Sequence, residues 1–178
     1  MTEISHHLWL TSILGNDISE AEARELFMIS RRERFTQGEK LFAEGEDAVA
    51  LYLIADGSVD IVKKTDAGST TLATHRAGGI VGEMSLLTQE KRSASAIVAS
   101  GNATVLRVSW RDFEELLTQN PAVAYKLMYA LARIIAGRLR AVNHRLAELA
   151  ERSLNHTPHE QIEEFASFRT KLLADWSF

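Results

Sequence analysis

Two side chains of opposite charge stand nine residues apart in the stretch IVGEMSLLTQEKRSAS, residues 80–95: Glu83, directly after Gly82, and Arg92, directly before Ser93. An arginine offers a planar fork that matches phosphate oxygens. A glycine ahead of a short helix-like turn lets backbone N–H groups face an anion. The Ser93 hydroxyl adds one more donor. A glutamate cannot bind phosphate, since both are negative, but it accepts a hydrogen bond from a neutral hydroxyl. The stretch therefore fits a ligand with one phosphate and a sugar hydroxyl nearby. The competing account is an internal Glu83–Arg92 salt bridge that closes a loop.

The elements that would hold this stretch read in three parts. SEAEARELFMIS, residues 19–30, predicts a helix, with Ser19 and Glu22 in the spacing of a capping box. From about 31 to 109 the pattern changes to short runs such as VALYLI, SVDIVKK, TTLATH, SAIVAS and ATVLRVS, separated by glycines and polar turns. Such spacing predicts an all-β barrel or sandwich. The Asp56-Gly57 pair between two apolar runs predicts a hairpin. From residue 110 the chain reads as helix: WRDFEELLTQN up to Pro121, then a run of more than thirty residues weakened only at Gly137. A final helix is expected over 158–176. Thr157 is its N-cap, Pro158 its first residue, and Ile162, Phe165, Ala166, Leu172 or Leu173 and Trp176 its apolar face.

The long helix carries two apolar rows. Tyr125, Met128, Ala132, Ile135, Leu139, Val142, Leu146 and Leu149 alternate by three and four, the spacing of a coiled-coil seam. Leu127, Leu131 and Ile134 form a second row that stops there, continuing as Arg138, Ala141, Arg145 and Glu148. The first half is thus expected to bury one face on its own barrel and one on a partner. Because the seam outlasts the second row, a symmetric homodimer through Met128, Ile135, Leu139, Val142, Leu146 and Leu149 is expected. The seam packing on the final helix of the same chain is the alternative.

GEMSLL followed by KRSAS resembles the phosphate-binding cassette of cyclic nucleotide-binding domains, most like that of the catabolite activator (Crp/Fnr-like) family. GEKLFAEGEDAVALYLIADGSVDIVKK resembles the family's first strands, and VSWRDFEELLTQNP its path out of the barrel. The resemblance covers about residues 31–150. It implies a mainly β fold with helical flanks: a double-stranded β-helix, or jelly roll, then a long dimerisation helix and a short C-terminal helix. The implied parts are an N-terminal helical segment over 1–30, a ligand-binding β-roll over 31–109, helices over 110–153 and an amphipathic helix over 154–178. The resemblance implies that Glu83 holds the ribose 2′-hydroxyl. Gly82, Met84 and Ser85 would give backbone contacts, and Arg92 and Ser93 would take the cyclic phosphate. Ile61 and Leu72 would pack near the base. Lys91 replaces a common proline, and Ser85 a common alanine or glycine. Arg138 and Leu139 replace the small hydroxyl residues that face the base in the activator family. An arginine there can cap a purine or read guanine O6 and N7.

The expectation is a stand-alone regulatory module that binds cAMP, or in an alternative cGMP, and signals to a protein partner. A ligand-free dimeric scaffold of the same fold and a jelly-roll enzyme are the other readings. No enzyme signature is present. Six histidines are scattered, and His75 alone falls in the barrel region, so no metal site or cofactor is expected. The activator family follows its long helix with a DNA-reading domain. Residues 154–178 are too few for one, and a net charge of −4 gives no general attraction to nucleic acid, so DNA binding is not expected. No run approaches the roughly 18 apolar residues of a membrane helix. The absence of cysteine fits a cytoplasmic protein.

Overall fold

The computed structural model describes residues 18–66, 68–153 and 167. In chain order the elements are α1 (Glu20–Met28), β1 (Arg31–Thr36), β2 (Lys40–Phe42), β3 (Ala50–Asp56), β4 (Ser58–Thr65), β5 (Gly68–Arg76), β6 (Ile80–Val81), α2 (Glu83–Thr88), β7 (Ser95–Val98), β8 (Asn102–Ser109), α3 (Trp110–Gln119) and α4 (Pro121–Ser153). The expected final helix, with its Thr157 cap and apolar face, lies outside the described residues apart from Ser167. The chain divides into two compact units, with the boundary inside α4 after Leu131.

The expected mainly β fold with helical flanks is present. Eight strands form two antiparallel four-stranded sheets, ordered β1-β8-β3-β6 and β2-β7-β4-β5. Alternate residues of both sheets meet in one core: Ala50, Tyr52 and Ile54 from β3, Ala103 and Val105 from β8, Val59 from β4, Ala96 and Val98 from β7. The opposite face of β3 and β8 is buried as well, at Leu51, Leu53, Leu106 and Val108, and α3 packs beside β8. Each such side chain contributes about 1.5–3 kcal/mol of hydrophobic stabilisation.

Two local expectations are corrected. Asp56-Gly57 does not close a hairpin, because β3 and β4 lie in different sheets. Gly57, with φ of 86°, turns the chain from one sheet to the other against the β7–β8 connection. The Ser58 N–H donates to Ser100 Oγ at 2.9 Å, and a side chain at residue 57 would strike backbone atoms of Asn102 and Ala103. The hairpin falls between β4 and β5, where Thr65 faces Gly68. Helix α1 has the predicted capping box, the Ser19 N–H donating to Glu22 Oε2 at 2.8 Å and the Glu22 N–H to Ser19 Oγ at 3.3 Å. It ends two residues before Ser30, whose hydroxyl donates to the Phe27 carbonyl at 2.7 Å and releases the chain into β1.

The long helix matches its expected span. Leu127 and Leu131 are fully buried, as the second row predicts, and so are Val123 and Ala124. Of the seam, Tyr125 and Leu139 are exposed, Met128, Ile135, Leu146 and Leu149 are half-buried, and Val142 is buried within the single chain. Among the described residues no helix is long and apolar enough to cross a membrane.

Candidate ligand-binding site

Residues 80–95 fold as β6, a one-turn-and-a-half helix α2, and a loop into β7. Gly82 joins β6 to α2 with φ of 79°, a conformation that favours glycine. A Cβ at that position would lie 2.5 Å from Arg92 Nη1 and 3.3 Å from the Ala50 carbonyl oxygen. The missing side chain is therefore the space that the arginine occupies.

Glu83 and Arg92 are both withdrawn from solvent, at 2% and 3% exposure. Arginine and glutamate are almost never buried this far without partners. The Arg92 guanidinium stacks on Phe42, its Cζ 4.0 Å from the ring centroid. Nη1 donates to the Gly82 carbonyl at 3.1 Å, and Nη2 donates to the Ala50 carbonyl. Nε is buried and, among the described residues, has no hydrogen-bond partner. A guanidinium has five N–H donors, so these two bonds fix its plane and leave the Nε edge for an acceptor. Burial pushes the Arg92 pKa below its ordinary value. The neighbouring Tyr52, Glu46 and Glu83 pull it back up, and Arg107 pushes it further down. An arginine remains a cation through such shifts.

The backbone around the arginine is held by the turn after β2. The Gly45 N–H donates to the Arg92 carbonyl and the Arg92 N–H to the Glu46 carbonyl, both at 2.8 Å. The Glu44 N–H donates to the buried Ser95 Oγ at 3.0 Å. The cassette then enters β7, which pairs with β4 so that Ile61 faces Ala96. Ile61 packs against the core. In the next strand the register shifts between Ile61–Ala73 and Val62–Thr71, leaving Leu72 as the extra residue of a bulge. Gly82, Glu83, Met84, Ser85, Arg92 and Ser93 lie on the one stretch of chain between β6 and β7, Ile61 lies on β4, which pairs with β7, and Leu72 lies on β5, on the far side of β4. Arg138 is half-buried on α4 and belongs to the second unit.

The model for the cyclic nucleotide-binding domain matches residues 32–120, half of the chain, from β1 to the end of α3. This chain belongs to the cyclic nucleotide-binding domain family. It is 38% identical over 104 residues to the cyclic AMP receptor protein of Thermus thermophilus, a match covering 58% of this chain and 48% of that protein. Among solved structures it is similar to a cyclic nucleotide-binding domain from Methylobacillus flagellatus, with a TM-score of 0.75 and 25% identity, over 82% of this chain and 84% of that one. It is also similar to the catabolite activator protein of Thermus thermophilus, with a TM-score of 0.64 and 33% identity, over 77% of this chain and 62% of that one. The chain spans about half the length of the curated regulators it matches.

Within this family domain, sequence reasoning missed Phe42, Glu44, Ala50 and Lys63. Phe42 and the Ala50 carbonyl act across 50 and 42 residues of chain. A backbone carbonyl has no sequence signature. Lys63 had one: it follows Val59 and Ile61 at period two, a cation on the inward face of a strand. Among the described residues no group of three or more metal-ligating side chains is gathered.

Proposed function

We propose that this chain is a regulatory module that binds a cyclic nucleotide, cAMP before cGMP, and passes the event to a protein partner as a homodimer. The observation that carries this reading is Arg92: a buried cation, fixed by two carbonyls and an aromatic face, with its Nε donor unused. A cyclic phosphate monoanion would supply the acceptor and the opposite charge together, through a charge-assisted pair worth about twice a neutral hydrogen bond. Ser93, adjacent in the chain, would add its hydroxyl and N–H. Glu83 would accept from the ribose 2′-hydroxyl, a neutral donor. Ile61 and Leu72 would offer apolar surface to the base.

The dimer part rests on the two large seam residues of α4 that stay open, Tyr125 at 69% and Leu139 at 44% exposure. Large apolar groups at heptad spacing on an open helix face fit a second copy of the same helix. A protein partner as the output, and a location in the cytoplasm, belong to the same proposal. Isothermal titration with cAMP and cGMP is the test of the ligand. Saturable one-site binding of cAMP with weaker binding of cGMP is expected, the reverse order would make it a cGMP sensor, and no heat with either would leave the ligand-free scaffold.

A further inference from the structure

Val59, Ile61 and Lys63 lie on the same side of β4. Val59 is fully buried and Ile61 packs on the core, so Lys63 extends an apolar face with a cation. Its Nζ donates to the Ser93 carbonyl at 2.5 Å and lies 3.0 Å from Glu44 Oε1. Glu44 is itself held, its Oε2 accepting from the Lys64 N–H at 3.0 Å. Burial raises the Glu44 carboxyl pKa, but the Lys64 N–H and Lys63 outweigh it and hold the group below the usual carboxylate range.

Ser93 stands between two anchored peptides. The carbonyl before it, of Arg92, accepts from the Gly45 N–H, and its own carbonyl accepts from Lys63. In a trans peptide the C=O and N–H point in opposite directions, and no described peptide is cis. Anchoring the Arg92 carbonyl on the turn aims the Ser93 N–H away from that turn. Anchoring the Ser93 carbonyl on Lys63 as well fixes both peptides that flank its Cα, and so the direction of the Cα–Cβ bond that carries the hydroxyl. Neither Lys63 nor Glu44 needs to touch a ligand to do this.

We propose that Lys63, held by Glu44, is a positioning residue that sets the orientation of Ser93 toward one of the two non-bridging oxygens of a bound cyclic phosphate. The inference rests on the cyclic nucleotide reading above. It predicts stereoselectivity: the two diastereomeric phosphorothioate analogues of cAMP, with sulfur at one or the other non-bridging position, bind wild type unequally, and that inequality depends on Lys63.

The test is the ratio of the two analogues' dissociation constants, measured by titration on wild type and on Lys63→Met, Lys63→Arg and Glu44→Gln. In Lys63→Met, cAMP affinity is expected to fall about fivefold to tenfold, the scale of one charge-assisted contact, with the ratio moving toward one. Lys63→Arg, which keeps a donor and a charge, is expected to hold the ratio within about twofold of wild type. Glu44→Gln should move the ratio in the same direction as Lys63→Met, and it serves as the readout if the methionine variant does not fold. A ratio unchanged in Lys63→Met and Glu44→Gln, whatever the loss of affinity, overturns the positioning role while leaving the binding site intact. Wild type that binds neither cAMP nor cGMP overturns the parent reading and this one with it.

Discussion

The cassette and the long helix break the same rule in opposite directions. In the cassette, charge is inside: Glu83 and Arg92 are almost wholly buried. On α4, carbon is outside: Tyr125, Tyr129 and Leu139 are all more than two-fifths exposed, and the two tyrosine rings stack on each other with centroids 6.3 Å apart. Buried charge costs a folded chain unless it is paired, and exposed carbon gains it nothing. On the reading proposed here each is a surface completed by a partner, an anion in one case and a second copy in the other. The sign of the departure tells which kind of partner fits. Buried charge calls for a small polar ligand that can enter a fold, and exposed carbon at heptad spacing calls for another helix.

The comparison breaks most sharply at Arg92. Replacing it by leucine removes the charge that the phosphate would meet, so cyclic nucleotide affinity should fall at least about 100-fold, near 3 kcal/mol. The same change takes the donor away from the Gly82 and Ala50 carbonyls, so the unliganded protein should also lose about 1–3 kcal/mol of stability. Calorimetric titration paired with thermal unfolding reads both. Strong binding by the leucine variant would remove the arginine from the site. Glu83→Ala should lose only about tenfold, since a hydroxyl–carboxylate bond lacks the second charge. Losses of equal or reversed size would contradict the assignment of sugar to Glu83 and phosphate to Arg92.

The helix half is tested by Leu139→Asp. An unpaired carboxylate placed in an apolar seam costs about 2 kcal/mol or more, and a twofold axis counts it twice. Sedimentation equilibrium should show wild type as a dimer and the variant as a monomer. A wild type that sediments as a monomer would remove the second copy from the comparison. Gly82→Ala probes the seam between backbone and cassette. It forces a non-glycine residue to φ of 79° and puts a methyl 2.5 Å from Arg92 Nη1. About 1–3 kcal/mol of stability should be lost, read by urea denaturation, with a weakening of nucleotide binding that Arg92→Leu would not deepen much further.

How much of this was readable in the sequence follows the range of the interactions. Local ones were plain: the Ser19–Glu22 capping box is three residues wide, and the long helix declared itself by period. The cassette was legible because its charged residues share one stretch of chain. What was hidden acts across distance. Arg92 is held by the carbonyl of Ala50 and the ring of Phe42, and its loop by the turn at Gly45 and Glu46, none of which a linear pattern connects. Strand β1, RRERFT, escaped because it is an edge strand whose inward face carries a single apolar residue, Phe35, among charged ones. Asp56-Gly57 misled because the dipeptide specifies a tight turn and not whether the strands it joins pair. Val142 shares the heptad row of Leu139 but is buried within the chain, and a repeat gives the spacing of a face without what covers it.

A third charged contact serves as the control, because it is already satisfied. Lys126 Nζ lies 2.7 Å from Glu22 Oε2 and ties α1 to the start of α4. The Lys126 hydrogen bond, then the N–H and hydroxyl of Ser19, hold the Glu22 carboxyl at about 2, from an ordinary 4.5, against a small opposing effect of burial. The folded state thus binds this proton less readily than the unfolded chain. The stabilisation is present above the ordinary value of 4.5 and is lost as pH falls through about 2. Lys126→Met should therefore cost only about 0.5–1 kcal/mol near neutral pH, as for a partly exposed pair. The gap to wild type in urea denaturation should stay level down to about pH 5 and then close toward pH 2. A gap that persists unchanged at pH 2 would mean that Lys126 holds the helix by its methylene stem and not by its charge.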